Sequence, residues 1–333
     1  MNTAVFGFVA LTLLIKQLTL GLDSSTQKLP KPRHILELSP EEKVKFINSF
    51  DLVFSDIDGV LWNLHKDVEG AAEGFQGLTK AGKKLLFVTN NSVRSENALE
   101  HRLKDHGINV KNTDIIHPAD NVVKYLLSKN FDGLIYCIGS VYFKTIIRKA
   151  GFKIIDGPNK IFEESFSDFG RQIFDKEPVR AVVIDADFNL SGAKMMRAHW
   201  YLKHPDCILI IGATDSMLPL SKEIQILGPG PYGKILAEAS GKTPILMGKP
   251  GKELADMLVD RFDIKDRSRA LMIGDMLEQD IGFGKLIGMQ TLLVLSGGCN
   301  KTQMLENRIS GQHPDYYADT MYDFVEFFES SKL

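Results

Sequence analysis

Two carboxylates, Asp56 and Asp58, stand one residue apart at the end of an apolar run in the segment LVFSDIDGVLW, residues 52–62. On a strand, residues two apart share a face, so these acids crowd like charges unless the chain turns or a cation lies between them. Three further apolar runs end in polar groups. KLLFV leads into Thr89, Asn90 and Asn91, ILM leads through Gly248 into Lys249, and LMI leads through Gly274 into Asp275. At the carboxyl edge of one parallel sheet all four would converge on a crevice, where open α/β proteins bind ligands. The set suits phosphoryl transfer. Asp56 and Asp275 are hard oxygen ligands for Mg²⁺ together with water and substrate phosphate. One aspartate can attack phosphorus to give an aspartyl phosphate; the other, two residues on, can protonate the leaving oxygen and later deprotonate water. Thr89 and the amide groups of Asn90 and Asn91 can hold phosphoryl oxygens, Lys249 can neutralise transition-state charge, and Gly59 allows a tight turn.

Placing these groups requires strands that alternate with helices. Apolar runs and amphipathic stretches do alternate, with helices expected over 71–81 and 96–106, and again after residue 242 over 252–262 and 280–287. That pattern predicts an α/β fold with a parallel sheet covered on both faces. The middle of the chain has its own series: GLIYCIG, a helix over 141–150, RAVVIDAD, a helix over 191–202, and CILIIGATD. It reads as a second α/β unit inserted into the first. Ahead of the first strand, KLPKPR forms a basic linker, and Ser39, Pro40 and Glu42 spell the start of a lead-in helix. The aromatic C-terminal run DYYADTMYDFVEFFE has near-helical apolar spacing and is expected in the core.

Composition narrows the class. The 333 residues are 44% hydrophobic and 25% charged, with a formal net charge of −2, which offers no overall attraction to nucleic acid or to an anionic membrane. Three cysteines, Cys137, Cys207 and Cys299, lie far apart without a CxxC, and are expected as free thiols in a reducing, cytoplasmic setting. Residues 4–15 are apolar, short for a span of about 20 residues but of signal-peptide length, so a targeting segment over residues 4–21 is the alternative. Asn90-Asn91-Ser92 is also a glycosylation sequon; a glycan there would block the site, which favours the cytosol.

The motifs DIDGVLW, FVTNNS, GKP and GDMLEQDIGFG resemble those of the haloacid dehalogenase (HAD) superfamily, in particular the phosphoglycolate and pyridoxal phosphate phosphatase branch, also called 4-nitrophenylphosphatase-like. The likeness runs from about residue 36 to the end, with CIGS, AVVIDAD and HPDYYADTMYDF also similar to that branch. It implies a Rossmann-like core in two parts, 36–131 and 243–333, around a large α/β cap, 132–242, behind an extension and linker, 1–35. It implies Asp56 as nucleophile and Asp58 as general acid/base. Mg²⁺ would be held by Asp56, the Asp58 backbone carbonyl and Asp275, with Asp280 in support. Thr89, Asn90, Asn91 and Lys249 fall on phosphate-binding positions, the substrate is a small-molecule phosphate ester, and a homodimer forms through the cap. Where the pyridoxal phosphate enzymes carry Trp-His-Pro in a longer cap loop, this chain reads GATDSMLPLS, so Thr214, Asp215 and Met217 are the specificity positions to inspect and the preferred ester does not carry over.

GPGPYGKI, residues 228–235, comes close to a phosphate-binding P-loop, yet Ile235 lacks the hydroxyl and Pro229 and Pro231 lack the amides such a loop needs. It is expected to open a helix over 232–239. The eight histidines show no metal-binding spacing. A non-catalytic phosphoryl-binding or regulatory relative of the same fold is the alternative to a phosphatase. Asp58, Lys249 and Asp275 together speak against a dehalogenase.

Overall fold

The computed structural model describes residues 31–331 apart from 64–65, 163–164 and 220–224. The expected targeting segment, 4–21, lies outside the described residues, among which no helix is long and apolar enough to cross a membrane.

A seven-stranded sheet runs in the order Arg33–His34, Tyr316–Ala318, Gln290–Val294, Ala270–Gly274, Leu52–Ser55, Lys84–Val88, Ile115–Ile116, with every pairing parallel. Its strands are short apolar runs because both faces are covered. Val53, Leu85, Phe87, Leu271 and Ile273 join the core on one side, while Phe54, Leu86, Val88, Ala270 and Met272 join the core on the other. Alternation along each strand therefore feeds two cores with one hydrophobic sequence. A second parallel sheet runs Ile245–Leu246, Ile208–Ile211, Val179–Ile184, Leu134–Ile138, Ile154–Ile155 and is likewise buried on both faces.

Two expectations about the unit boundaries need correction. The run before Lys249 was expected in the first sheet, but Ile245–Leu246 pairs with Ile210 and Ile211 at the edge of the second. The helix Pro118–Ser128 buries Ala119, Val122 and Leu126 against Ile135, Cys137 and Met247 of that same sheet. The second sheet thus gathers elements from both sides of the expected 132–242 insert. An apolar run indicates a strand without indicating its neighbour.

Local signals hold where they are strong. Ser39 Oγ accepts the Glu42 N–H at 3.3 Å and Glu42 Oε2 accepts the Ser39 N–H at 2.9 Å, closing a reciprocal cap on the helix Pro40–Asn48. In the C-terminal helix Asp323–Ser331, Phe324 and Phe327 are fully buried in the core. Gly228 and Gly230 pack on the main chain of Asp215 and Thr214, and the helix Gly230–Ser240 opens two residues earlier than expected.

Candidate active site

Asp56 follows the strand Leu52–Ser55, and its N–H still reaches the neighbouring strand, donating to the Ile273 carbonyl at 2.9 Å. Beyond it the chain turns at once: the N–H groups of Val60 and Leu61 donate to the Ile57 carbonyl, and that of Gly59 to Trp62 at 2.7 Å. Gly59 has φ +84°, and a Cβ there would lie 2.2 Å from Asp275 Oδ2. Only glycine meets both demands. The turn resolves the crowding of the two acids by giving each its own partners. Asp56 Oδ1 accepts the Ile57 N–H at 2.7 Å and its Oδ2 lies 2.9 Å from Lys249 Nζ. Asp58 instead accepts from Trp62 Nε1 at 3.0 Å and from Asn91 Nδ2 at 2.9 Å.

Lys249 is fully buried and shared, with Asp280 Oδ1 at 2.6 Å on its other side. Burial opposes its charge, but the Asp280 and Asp56 carboxylates more than offset this and hold its pKa above the ordinary lysine value. Asp280 sits in a wide π-type turn, Leu277–Ile281, and its Oδ2 accepts the N–H groups of Asp275 and Met276 at 3.1 and 3.0 Å. Asp275 follows the strand Ala270–Gly274 and accepts the Gly298 N–H at 2.6 Å. Desolvation, reinforced by the Asp280 charge, pushes Asp275 up to about 7, and desolvation also raises Asp56 well above an ordinary aspartate despite Lys249. Carboxylate oxygens of Asp56, Asp275 and Asp280 lie within 4.8 Å of one another and could hold a metal ion. Three carboxylates around one lysine leave negative charge that a divalent cation would balance, so the donor set fits Mg²⁺.

The polar residues after the strand Lys84–Val88 are placed differently from expectation. Thr89 is buried, and its hydroxyl accepts the Asn91 N–H at 2.9 Å. Asn90 was expected to offer its amide to phosphate, yet its Nδ2 donates to the Lys249 carbonyl at 3.0 Å and its Oδ1 accepts the Lys249 N–H at 2.8 Å. Asn91 spends Nδ2 on Asp58 and Oδ1 on the N–H groups of Val93 and Arg94. Both amides thus orient other site residues, one the lysine and one the second aspartate. Thr214 adds its hydroxyl to the Lys249 carbonyl, and Asp215, which lies near Lys249 and Asn90, is pushed up to about 6 by burial. Met217 is partly exposed on the hairpin Met217–Pro219/Gln225–Leu227.

Residues absent from the sequence reading complete the site. Gly298 supplies the N–H to Asp275, and Ser296 Oγ donates to the Gly59 carbonyl at 2.7 Å. Both follow the strand Gln290–Val294, so the strand-end rule that found the others would have found them. A second group with metal-ligand chemistry, His34 with Asp319 and Asp323, sits at the edge of the seven-stranded sheet. His34 Nδ1 accepts the Leu36 N–H, which leaves the ring proton on Nε2 facing Asp323 rather than a free lone pair for a metal.

Hard oxygen donors about a buried cation, at the mouth of a parallel sheet wound on both sides, are the apparatus of doubly wound α/β enzymes that handle phosphoryl groups. Family models for haloacid dehalogenase-like and HAD-hydrolase-like proteins match residues 53–153 and 246–324. The chain is 31% identical over 297 residues to phosphoglycolate phosphatase 1A, chloroplastic, of Arabidopsis thaliana, covering 88% of this chain and 82% of that one. It is 32% identical over 286 residues to chronophin of Homo sapiens, covering 83% and 93%. The p-nitrophenyl phosphatase from Archaeoglobus fulgidus, 24% identical, shares the fold with a TM-score of 0.69 over 84% of this chain and 99% of that one. The chain belongs to the haloacid dehalogenase-like hydrolases, as a phosphatase of the branch that includes phosphoglycolate phosphatase and 4-nitrophenylphosphatase.

Proposed function

We propose that the protein is a Mg²⁺-dependent phosphomonoester hydrolase that works through an aspartyl phosphate on Asp56. The observation that carries this reading is the Asp56 carboxylate, aimed by the Ile57 N–H and Lys249, beside Asp58, held separately by Trp62 and Asn91. Asp56 forms the new P–O bond as the ester P–O bond breaks, and Asp58 gives its proton to the departing oxygen. Water then attacks the aspartyl phosphate, Asp58 takes its proton, and phosphate leaves with Asp56 regenerated. Lys249 offsets charge as it builds on the phosphoryl oxygens, with Thr89 beside them. Mg²⁺ would be held by Asp56, the Asp58 carbonyl and Asp275 with Asp280 in support; when bound it polarises the phosphoryl group and neutralises charge.

The substrates are small phosphorylated metabolites of the phosphoglycolate, pyridoxal phosphate and 4-nitrophenyl phosphate class, a reading supported by the names of the relatives. The unit built on the five-stranded sheet serves as a cap, extended to take in the helix Pro118–Ser128 and the strand Ile245–Leu246. Thr214, Asp215 and Met217 set specificity from it, and a homodimer forms through it. Three free, buried thiols, Cys137, Cys207 and Cys299, support a reducing compartment such as the cytoplasm.

Release of inorganic phosphate from 4-nitrophenyl phosphate, phosphoglycolate, pyridoxal phosphate and sugar phosphates, with Mg²⁺ or with EDTA, tests the proposal. Turnover is expected with Mg²⁺ alone and is lost in Asp56→Asn. Full activity of Asp56→Asn would overturn the covalent route, and undiminished turnover in EDTA would overturn the metal.

A further inference from the structure

Asp185 lies outside the reaction just described, yet it is 2% exposed and ends the strand Val179–Ile184. Its Oδ1 accepts the Ser92 hydroxyl and the Ala186 N–H, and its Oδ2 accepts the Ala213 N–H at 2.7 Å. All three of these donors are neutral. Burying a carboxylate among neutral donors is costly, so its presence where the two sheets' loops meet calls for a reason. Ser92 directly follows Asn91, whose Nδ2 holds the Asp58 carboxylate. Ala213 directly precedes Thr214, whose hydroxyl holds the Lys249 carbonyl. The approach is close enough that a Cβ on Gly212 would lie 1.9 Å from Asp185 Oδ2.

We propose that Asp185 is a positioning residue for the phosphatase reaction: through Ser92 it fixes Asn91, and with it the Asp58 carboxylate, relative to the segment bearing Thr214 and Asp215. The inference rests on the proposed roles of Asp56 and Asp58. A carboxylate is required for the task. Each of its oxygens faces a backbone N–H, so the NH₂ of an asparagine at either end would meet a donor. Asp185→Asn is therefore as damaging as truncation, although it is nearly isosteric.

The test compares phenyl phosphate, a poor leaving group that needs the acid, with 4-nitrophenyl phosphate, which hardly does. The full-length chain with Mg²⁺ is assayed as wild type, Ser92→Ala, Ser92→Thr, Asp185→Asn and the Ser92→Ala/Asp185→Asn double variant. Misplacing an acid by a fraction of an ångström to 1 Å is expected to cost about ten- to a hundredfold in kcat/KM on phenyl phosphate, with kcat/KM on the 4-nitrophenyl ester within about twofold, since kcat/KM ends at departure of the leaving group and leaves out the hydrolysis of the aspartyl phosphate that both esters share. The double variant should be no worse than the poorer single, and Ser92→Thr, which keeps the hydroxyl, should restore turnover. Should Asp185→Asn fail to fold, the Ser92→Ala and Ser92→Thr pair decides alone. Equal loss of kcat/KM on both esters, additive losses, or unchanged kcat/KM on phenyl phosphate would overturn the proposal. A wild type inactive on both esters would overturn the Asp56 and Asp58 roles as well, a different result from an active wild type with ester-independent losses.

Discussion

Each of the two parallel sheets ends an interior strand in Asp-x-Asp: Asp56 and Asp58 in one, Asp185 and Asp187 in the other. The backbones match closely. Each first aspartate donates its N–H to the next strand, at 2.9 Å to Ile273 and 2.8 Å to Ile138, and each Oδ1 accepts the N–H of the following residue. The surroundings differ. Asp56 meets a buried lysine and two more carboxylates, whereas Asp185 meets a serine hydroxyl and main-chain amides. Asp58 is held by Trp62 and Asn91, but Asp187 is neutralised by Lys194 at 2.8 Å. After the first pair comes Gly59 with φ +84°; after the second comes Phe188, 73% exposed. A strand-end acid pair is thus a common local form. Reactivity comes from what the other strand ends bring to it.

Exchanging the two lysines should separate the motifs most widely. Lys249→Met strands Asp56 and Asp280 and is expected to cut phosphate release by at least about 10³-fold and stability by about 3–5 kcal/mol. Lys194→Met should lower stability by a similar few kcal/mol yet leave kcat within about threefold, because Asp187 bonds to Lys194 and the Asn189 N–H rather than to a residue of the active site. Phosphate release and urea unfolding check both, and comparable activity losses would break the contrast.

The residue after each motif should give a smaller difference. Gly59→Ala meets both the left-handed backbone and Asp275, so kcat should fall about a hundredfold with about 1–3 kcal/mol of stability. Phe188→Ala should change stability by no more than about 0.5 kcal/mol, as for an ordinary surface site, and leave kcat unchanged.

The smallest effect is a pH slope. Burial pushes Asp185 up to about 6, partly countered by Ser92 and the Ala213 and Ala186 amides, from an unfolded value near 4. A raised carboxyl favours the folded state while protonated, and that advantage is lost as pH climbs through about 6. Between pH 4 and 7 the wild type should lose on the order of 2 kcal/mol more stability than Asp185→Asn, read from urea midpoints at each pH. Parallel pH profiles would mean that the carboxyl titrates normally.

The sequence exposed most of the site because strand ends carry it. Asp56, Asp58, Thr89 and Asp275 each follow an apolar run in the same sheet, and periodicity finds such runs. It does not say which sheet a run joins, and for that reason the strand before Lys249 was misplaced. Nor does it reveal where an amide points. Asn90 and Asn91 turn to Lys249 and Asp58 because those partners come within reach only once the chain is folded. Asp185 also follows an apolar run, but the run does not reveal that its carboxylate meets Ser92 and Ala213 rather than a cation.

Lys249 lies three residues past the edge strand Ile245–Leu246, and Asn90 clamps both polar groups of its main chain. The middle sheet is therefore no detachable cassette. A chimaera that imported another enzyme's insert between residues 132 and 242 would leave that edge strand to pair with a foreign neighbour. Any mismatch in register would pass within three residues to the ammonium beside Asp56. Grafts meant to change which ester enters should keep residues 243–249 and the clamp at Asn90 as one inherited block.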